Sequence, residues 1–204
     1  MQGLDCHGLR PRNDDGRLLI IGAGGHGRSV AEAVIAAGIY EMAGFVDDAA
    51  PGLAQVWGYA VLGTTDDVSV YRTHADRAIV AVGNNTLRAV LSIKLLAAGF
   101  ELTTVVHPRA IVSPRAVIGP GSAIMAGAIV GTEARLGCGV IVNCGAVVDH
   151  DAQVHDYGHL GVNACMAGGS VLGRNAWMQA GSALSYGVKV AEGVVLQPGM
   201  AVSG

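Results

Sequence analysis

The sequence has few aromatic residues, which make up only 4% of its 204 residues. So low a share argues against an ordinary globular core packed around large rings. The chain also lacks an apolar helical run of about 18 residues, so no membrane span is expected. Its charge is close to balanced, with 13 basic and 16 acidic residues and no basic stripe, which argues against a nucleic-acid partner.

Cysteine is scarce as well. The four residues present, Cys6, Cys138, Cys144 and Cys165, form no CxxC pair and no zinc-ligand spacing. This pattern indicates free thiols of a cytoplasmic protein. We therefore expect that no metal is required.

What the sequence does have is 31 glycines and many small aliphatic residues. From Val106 to Val202, every sixth residue is Val, Ile, Leu or Met without a break. An α-helix needs a period near 3.6 and an ordinary strand needs a period of 2, so a six-residue period predicts a solenoid of short strands joined by corners. The aliphatic positions are Val106, Val112, Ile118, Ile124, Val130, Leu136, Val142, Val148, Val154, Leu160, Met166, Leu172, Met178, Leu184, Val190, Leu196 and Val202.

The other positions of the six-residue repeat agree with this prediction. Four residues after an aliphatic stands a mostly small side chain, which leaves room for the aliphatics to stack inside. Three residues after it stands a turn former that tolerates left-handed backbone. The turn formers are Gly121, Gly127, Gly139, Gly145, Asn163, Gly169, Asn175, Gly181, Gly187, Gly193 and Gly199.

This repeat resembles that of the left-handed parallel β-helix family, in which three hexads close one triangular coil. Residues 106–204 would then form about five and a half coils of eighteen residues. Residues eighteen apart would stack about 4.8 Å apart along the axis. The resemblance also implies a homotrimer, because proteins of this kind usually associate side by side through their flat faces.

The first half of the sequence alternates strand and helix signals. Buried strands are predicted over 18–21, 43–47 and 78–82, and helices over 28–37 and 87–98. A short strand from Glu101 leads into the solenoid. This alternation predicts a small parallel α/β domain of Rossmann-like type.

Gly22, Gly24 and Gly27 follow the first strand with the spacing GxGxxG, and Asp47 ends the second strand. Bare backbone amides at a helix N-terminus bind phosphate groups, and the acidic residue is placed to meet a ribose hydroxyl. The domain supplies about half of the sheet that usually holds a dinucleotide. A nucleoside diphosphate attached to something smaller than a second nucleoside is therefore favoured over NAD.

Three segments are thus expected. Residues 1–17 are polar, of mixed charge and without the apolar run of a secretory signal, and we expect a disordered leader there. Residues 18–105 form the Rossmann-like domain, which is expected to bind the nucleoside diphosphate. Residues 106–204 form the β-helix.

The motifs GAGGHG, FVDD and VVDHDAQVHDYGHL occur in this order over residues 22–27, 45–48 and 147–160. Together they resemble the nucleotide-sugar acetyltransferases of bacterial glycan biosynthesis, such as the bacillosamine and perosamine N-acetyltransferases. The resemblance covers residues 18–204. It implies acetyl-CoA as co-substrate and an N-acetyltransferase acting on a UDP- or GDP-linked 4-amino-deoxy sugar. It also implies that acetyl-CoA lies along the β-helix between neighbouring subunits of a trimer.

The resemblance implies a role for each matching residue. His150 matches the general base, and Asp151 matches the acidic residue that raises its basicity. An imidazole suits this task because its pKa lies close to the working pH and an adjacent carboxylate favours the protonated ring. Substrate contacts are implied for Gly24, Gly25, His26, Asp47, Asp48, Gly63 and Asn143, and acetyl-CoA contacts for His159, Ala180 and Pro198.

Two departures from the family pattern occur close to these residues. His155 replaces a usual glycine, and Val162–Asn163 replaces a usual Pro-Gly pair. Neither departure removes a catalytic group.

Other functions stay open at this stage. O-acetylation of a sialic-acid-type sugar would use the same base. A zinc enzyme of the γ-carbonic anhydrase type would use His150 and His155, but Pro114 stands where its third histidine is expected. A non-catalytic protein that binds a sugar nucleotide would show no effect of replacing His150.

Overall fold

A computed structural model describes residues 16–203. Apart from Gly16 and Arg17, the segment predicted as a leader lies outside the described residues, as does Cys6. Neither of the α-helices within 16–203 is long and apolar enough to cross a membrane.

Residues 17–102 form a four-stranded parallel sheet with the strand order β2-β1-β5-β6. The four strands are β1 (Arg17–Ile21), β2 (Glu41–Val46), β5 (Arg77–Val80) and β6 (Glu101–Leu102), and the helices are α1 (Gly25–Ala37) and α2 (Asn85–Ala97). Between β2 and β5 lie the hairpin β3 (Gln55–Val56) and β4 (Tyr59–Ala60) and two 3-10 helices, Ala50–Gly52 and Val68–Thr73. The predicted Rossmann-like alternation of strands and helices is confirmed.

The main difference from the prediction lies at the start of α1. The sequence predicted a helix from residue 28, whereas the helix already begins at Gly25. Gly24 is the N-cap residue and has an extended backbone, so the chain needs only 22–24 to turn. His26 therefore lies within the first turn of α1.

Alternate residues of β1 face the two sides of the sheet, as the strand geometry requires. Leu18 and Ile20 pack with Val30 and Val34 of α1, and this cluster extends onto Val105, Ala123 and Met125 of the following solenoid. Leu19 and Ile21 pack on the other side with Leu91 and Leu95 of α2. The α/β unit thus shares its core with the first coils of the solenoid.

From Val105 onward the chain forms a left-handed parallel β-helix, with two-residue strands in three parallel sheets. We call these sheets the first, second and third face. The first face contains β7 (Val105–Val106), β10 (Ala123–Ile124), β13 (Ile141–Val142), β16 (His159–Leu160), β19 (Trp177–Met178) and β22 (Val195–Leu196). The second contains β8 (Ile111–Val112), β11 (Ile129–Val130), β14 (Val147–Val148), β17 (Cys165–Met166), β20 (Ala183–Leu184) and β23 (Ala201–Val202). The third contains β9 (Val117–Ile118), β12 (Arg135–Leu136), β15 (Gln153–Val154), β18 (Val171–Leu172) and β21 (Lys189–Val190).

The register confirms the predicted stacking of residues eighteen apart. Ile124 pairs with both Val106 and Val142, for example, and the same interval holds on each face. All of the sixth-residue aliphatics belong to one core cluster, as fully buried members or, at the ends, as partly buried ones. The inward register on which the fold prediction depended is therefore confirmed.

The corners take the left-handed backbone predicted for them, from Gly121 (φ 73°) to Gly199 (φ 69°). Three corners do so without glycine or asparagine, at Glu133, Asp151 and Tyr157, whose φ angles are 58–59°. Residues other than glycine and asparagine rarely adopt this backbone conformation, so its occurrence at these three corners needs a structural explanation. For Asp151 the explanation is the contact of its carboxylate with the neighbouring His150.

Candidate active site

His150 lies at the corner between β14 and β15, which joins the second face to the third. Its Nδ1 lies 2.9 Å from Oδ2 of Asp151, and its backbone N–H donates to Oδ1 of Asp149 at 2.7 Å. The left-handed backbone of Asp151 (φ 58°) brings its carboxylate beside the preceding ring. The His150 side chain is half exposed, at 50%. One nitrogen of the ring is therefore held by a carboxylate while the side chain stays open to solvent.

The two carboxylates set the chemistry of the ring. The hydrogen bond that the ring donates to Asp151 raises the pKa of His150 above 6.5, and the negative charge of Asp149 adds to this shift. With Nδ1–H donating to Asp151, Nε2 carries the free lone pair of the neutral ring. The arrangement makes Nε2 a stronger proton acceptor than an isolated imidazole.

Asp151→Asn is expected to lower the pKa of His150 towards 6.5, because the charged acceptor on Nδ1 becomes neutral. Asparagine tolerates a left-handed backbone, so the corner should keep its shape. NMR titration of the His150 ring in the free protein measures the change. Glu133→Gln, at the equivalent corner one coil earlier, is the matched control and should leave this pKa unchanged. An unaltered pKa in Asp151→Asn would show that another group holds the ring.

A second group of predicted residues meets at the carboxyl ends of β1 and β2. Oδ2 of Asp47 accepts the N–H of Ala23 at 2.7 Å, and the N–H of Asp47 donates to the carbonyl of Gly63 at 2.9 Å. Asp48 binds both the N–H and the hydroxyl of Thr65. The glycine-rich loop, the end of β2 and Gly63 are thereby tied together, at the sheet edge where open α/β sheets bind ligands.

The loop itself is open. Gly24 and Gly25 are exposed, and a side chain at either position would meet nothing within 4 Å. Gly63 is different, because a Cβ there would lie 2.3 Å from the hydroxyl oxygen of Tyr71, in a backbone with φ 155°. Space for a ligand thus exists beside Gly24 and Gly25, while Gly63 is required by the packing of its own loop.

His26 and His159 lie in the junction between the α/β unit and the first face. His159 is 7% exposed, and its ring stacks on Trp177 with centroids 5.2 Å apart. Burial, together with the charge of Arg88, lowers the pKa of His159 to about 3 and that of His26 to about 4. Both rings are therefore neutral at pH 7. Nε2 of His26 and Nδ1 of His159 are buried and find no hydrogen-bond partner within residues 16–203.

Arg88 of α2 holds this junction together and was not predicted. Its side chain is 1% exposed and donates to the carbonyls of Gly139 (2.7 Å) and Tyr157 (2.8 Å) in the solenoid. Burial lowers its pKa to about 10, so the guanidinium stays charged at pH 7. The neighbouring Asn85 donates to the carbonyl of Asn175 at 2.9 Å. Contacts from α2 thus fix the corner between the third and first faces.

Asn143, Ala180 and Pro198 lie at the remaining corner, between the first and second faces. Ala180 and Pro198 stand eighteen residues apart and stack in successive coils, with the N–H of Gly199 donating to the carbonyl of Ala180 at 2.9 Å. Oδ1 of Asn143 accepts the N–H of Cys144 at 2.8 Å. Two of the three predicted acetyl-CoA contacts, Ala180 and Pro198, therefore share one edge of the prism with the predicted substrate contact Asn143, whereas the third, His159, lies in the junction.

Residues 17–95 match the PglD N-terminal domain family. PerB from Caulobacter crescentus, solved in complex with CoA and GDP-perosamine, is 35% identical, with 91% of each chain covered and a TM-score of 0.81. The acetyltransferase domain of PglB from Neisseria gonorrhoeae is 36% identical, covering 92% of this chain and 96% of that one, with a TM-score of 0.73. The chain belongs to the PglD-type nucleotide-sugar acetyltransferase family.

Two further comparisons give no additional evidence about the function. WeeI from Acinetobacter baumannii is 21% identical over 91% of this chain with a TM-score of 0.62, a likeness in fold alone. A comparison with curated protein sequences found no significant match. The family assignment makes the protein an acyltransferase.

Within one chain of the acetyltransferase, the predicted site residues form three separate groups. The loop with Asp47 belongs to the α/β unit, which packs on the first face, and the groove residues lie at the corner between the first and second faces. His150 lies at the corner opposite the first face. The described contacts of its ring involve only solenoid residues, namely Asp149, Asp151, Gly168 and Tyr186. The chain by itself does not bring the base to the loop.

Several residues beside these groups were not predicted from the sequence as part of the site. Gly168 and Tyr186 stand eighteen and thirty-six residues after His150 and contact its ring from the following coils. The stacking interval, once known, is enough to find them. His155, the departure from the family pattern, is exposed. Among residues 16–203, no group of three or more His, Cys, Asp or Glu side chains could hold a metal ion.

Proposed function

We propose that the protein transfers the acetyl group of acetyl-CoA to the amino group of a nucleotide-linked 4-amino-deoxy sugar, with His150 as the general base. The observation that carries the proposal is the His150–Asp151 pair at an open corner of the solenoid in a member of this family. PerB was solved with CoA and GDP-perosamine, and the PglB domain with acetyl coenzyme A.

The chemistry follows from the free lone pair on Nε2. As the sugar amine attacks the thioester carbonyl carbon, Nε2 of His150 takes the amine proton and Asp151 stabilises the resulting imidazolium. The C–N bond forms, the C–S bond breaks, and the proton passes from His150 to the leaving thiolate. No covalent intermediate with the protein is required.

The nucleotide is proposed to bind the glycine-rich loop. The amides at the N-terminus of α1 suit a diphosphate, and Asp47 and Asp48 suit the nucleoside. Nε2 of His26 and Nδ1 of His159 are buried in the junction without a hydrogen-bond partner among residues 16–203, and we propose that a bound ligand supplies one. The coenzyme is proposed to follow the edge formed by Asn143, Ala180 and Pro198.

A homotrimer would join these groups, and the character of the second face supports one. All the outward residues of its strands are apolar, and several are exposed, such as Ile111 (66%) and Ile129 (38%). The third face instead presents Arg135, Gln153 and Lys189. An exposed apolar stripe on a flat face is typical of an interface. The outward residues of the second face are Ile111, Ile129, Val147, Cys165, Ala183 and Ala201.

Three-fold packing through the second face brings unlike edges together, because such an interface is head-to-tail. The edge with His150 on one subunit then meets the edge with Ala180 and Pro198 on the next. The α/β unit of that neighbour lies on the adjoining first face. We therefore propose that His150 acts on a nucleotide sugar and a coenzyme bound at the boundary with the neighbouring subunit.

A substrate panel tests the proposal. The protein is incubated with acetyl-CoA and GDP- or UDP-linked 4-amino sugars, and CoA thiol release is followed together with the mass of the sugar product. We expect thiol release and a single acetyl adduct with at least one amino sugar, and none with the matching 4-hydroxy sugar. Acetylation of a sialic-acid-type hydroxyl acceptor alone would favour the O-acetyltransferase alternative. Turnover of no acceptor would contradict an enzymatic role.

A further inference from the structure

Four residues spaced eighteen apart stand in one column at the corner that carries His150: Thr132, His150, Gly168 and Tyr186. Hydrogen bonds between successive coils define the column, since the carbonyls of Thr132, His150 and Gly168 accept the N–H groups of Asp151, Gly169 and Gly187. Three of the four residues carry a side chain. Tyr186 shows that even a large ring is accepted at this position, where it is 75% exposed.

Gly168 is thus the exception, and its backbone does not explain it. Its neighbour Gly169 has a left-handed backbone with φ 64°, but Gly168 is not among the residues with positive φ. An alanine at 168 would therefore meet no conformational penalty of the kind that glycine avoids. The reason for glycine has to lie in what surrounds the position.

The surroundings are the His150 ring. A Cβ on Gly168 would lie 2.5 Å from both Cε1 and Nε2 of His150 and 3.1 Å from Cδ2, and no other atom comes as near. Gly131, which lies two coils earlier at the neighbouring position of the same corner, differs in this respect, because a Cβ there would meet the backbone of 148–150. The close stacking of the coils requires glycine at position 131. At position 168 the nearest atoms to a Cβ belong only to the His150 side chain.

We propose that Gly168 is a positioning residue for His150. Because Gly168 has no side chain, the imidazole ring occupies the space beside it, and this sets the position of Nε2. Non-bonded carbon and nitrogen atoms rest about 3.5 Å apart, so a methyl group at 168 would push the ring by about 1 Å. The ring would then leave the Asp151 carboxylate, which lies 2.9 Å from Nδ1. A displacement of this size in a catalytic group costs on the order of 100-fold in rate.

The inference rests on the proposed role of His150, but its main test does not need turnover. In Gly168→Ala, NMR titration of the free protein is expected to show a lower pKa for His150, since the Asp151 hydrogen bond that raises it is lost. In the acetylation assay, kcat should fall on the order of 100-fold. Thr132→Ala, which shortens a side chain in the same column one coil earlier, is the matched control and should alter neither quantity.

A second variant separates displacement of the ring from other effects of the methyl group. In a His150→Ala background the ring is gone, so adding Gly168→Ala should change neither CoA affinity nor thermal unfolding. A folded Gly168→Ala protein with unchanged kcat and His150 pKa would overturn the proposal. So would a double variant that fails to fold, because the backbone and not the ring would then require glycine. If His150→Ala proved fully active, the assignment of His150 as the general base would be wrong. A shifted His150 pKa in Gly168→Ala would still support the role of Gly168 in positioning the ring.

Discussion

Replacing His150 by alanine is expected to lower kcat for acetyl transfer by about 10²- to 10⁴-fold, the contribution typical of a positioned general base. The attacking amine then has no acceptor for its proton at the corner. The fold should be unaffected, because the side chain is half exposed and its ring contacts are to exposed side chains and to Gly168. Thiol release from acetyl-CoA at saturating amino sugar measures kcat, and circular dichroism checks the fold.

His155→Ala is the control for this prediction. His155 is also an exposed histidine of the same coil, five residues further along, and no catalytic contact is assigned to it. Its replacement should leave kcat close to that of the unaltered protein. Equal kcat values for the His150→Ala and unaltered proteins would remove His150 from its proposed role. A loss of kcat in His155→Ala alone would instead make His155, at the corner between the third and first faces, the candidate base.

The solenoid could be predicted almost completely from the sequence, because its physical cause is periodic. Every coil repeats the same requirement for an inward aliphatic, a small neighbour and a left-handed corner, so the pattern is visible without knowledge of any contact. The pattern did not show that Glu133, Asp151 and Tyr157 take the left-handed backbone as well. Composition favours glycine and asparagine there, and tertiary context can override such a preference.

The junction could not be predicted, because its contacts are long-range and occur only once. The bond from Arg88 to Gly139 joins residues 51 apart, and no spacing rule connects an arginine in α2 with a solenoid carbonyl. The burial of His26 and His159 follows from this docking, and so do their low pKa values. The family resemblance named these histidines without indicating that both lie in the same junction.

The separation of the site into three groups could not be predicted from the sequence either. The motifs of the loop, the base and the groove appear as one set in the sequence, and only the three-sided geometry shows that His150 lies on the edge opposite the face covered by the α/β unit. Once this is known, the subunit arrangement becomes a question that kinetics can answer.

Mixing two inactive variants is expected to restore activity if the site lies between subunits. His150→Ala removes the base, and Gly24→Leu places an apolar side chain in the open space beside the loop, where a Cβ would meet no atom within 4 Å. In randomly assembled trimers, an intact site needs His150 from a Gly24→Leu subunit and an open loop from a His150→Ala subunit. Every trimer that contains both variants has one such boundary among its three, so about a third of the unaltered activity should return once both homotrimers are removed.

The experiment uses the two variants with different affinity tags, produced together and purified through both tags in turn, with each variant alone as the control. Sedimentation establishes the number of subunits in the active species. Since each homotrimer lacks either the base or the loop at every site, neither can contribute to the recovered rate. Mixed trimers no more active than the two homotrimers would mean that loop and base meet within one chain, and the head-to-tail arrangement through the second face would then be wrong.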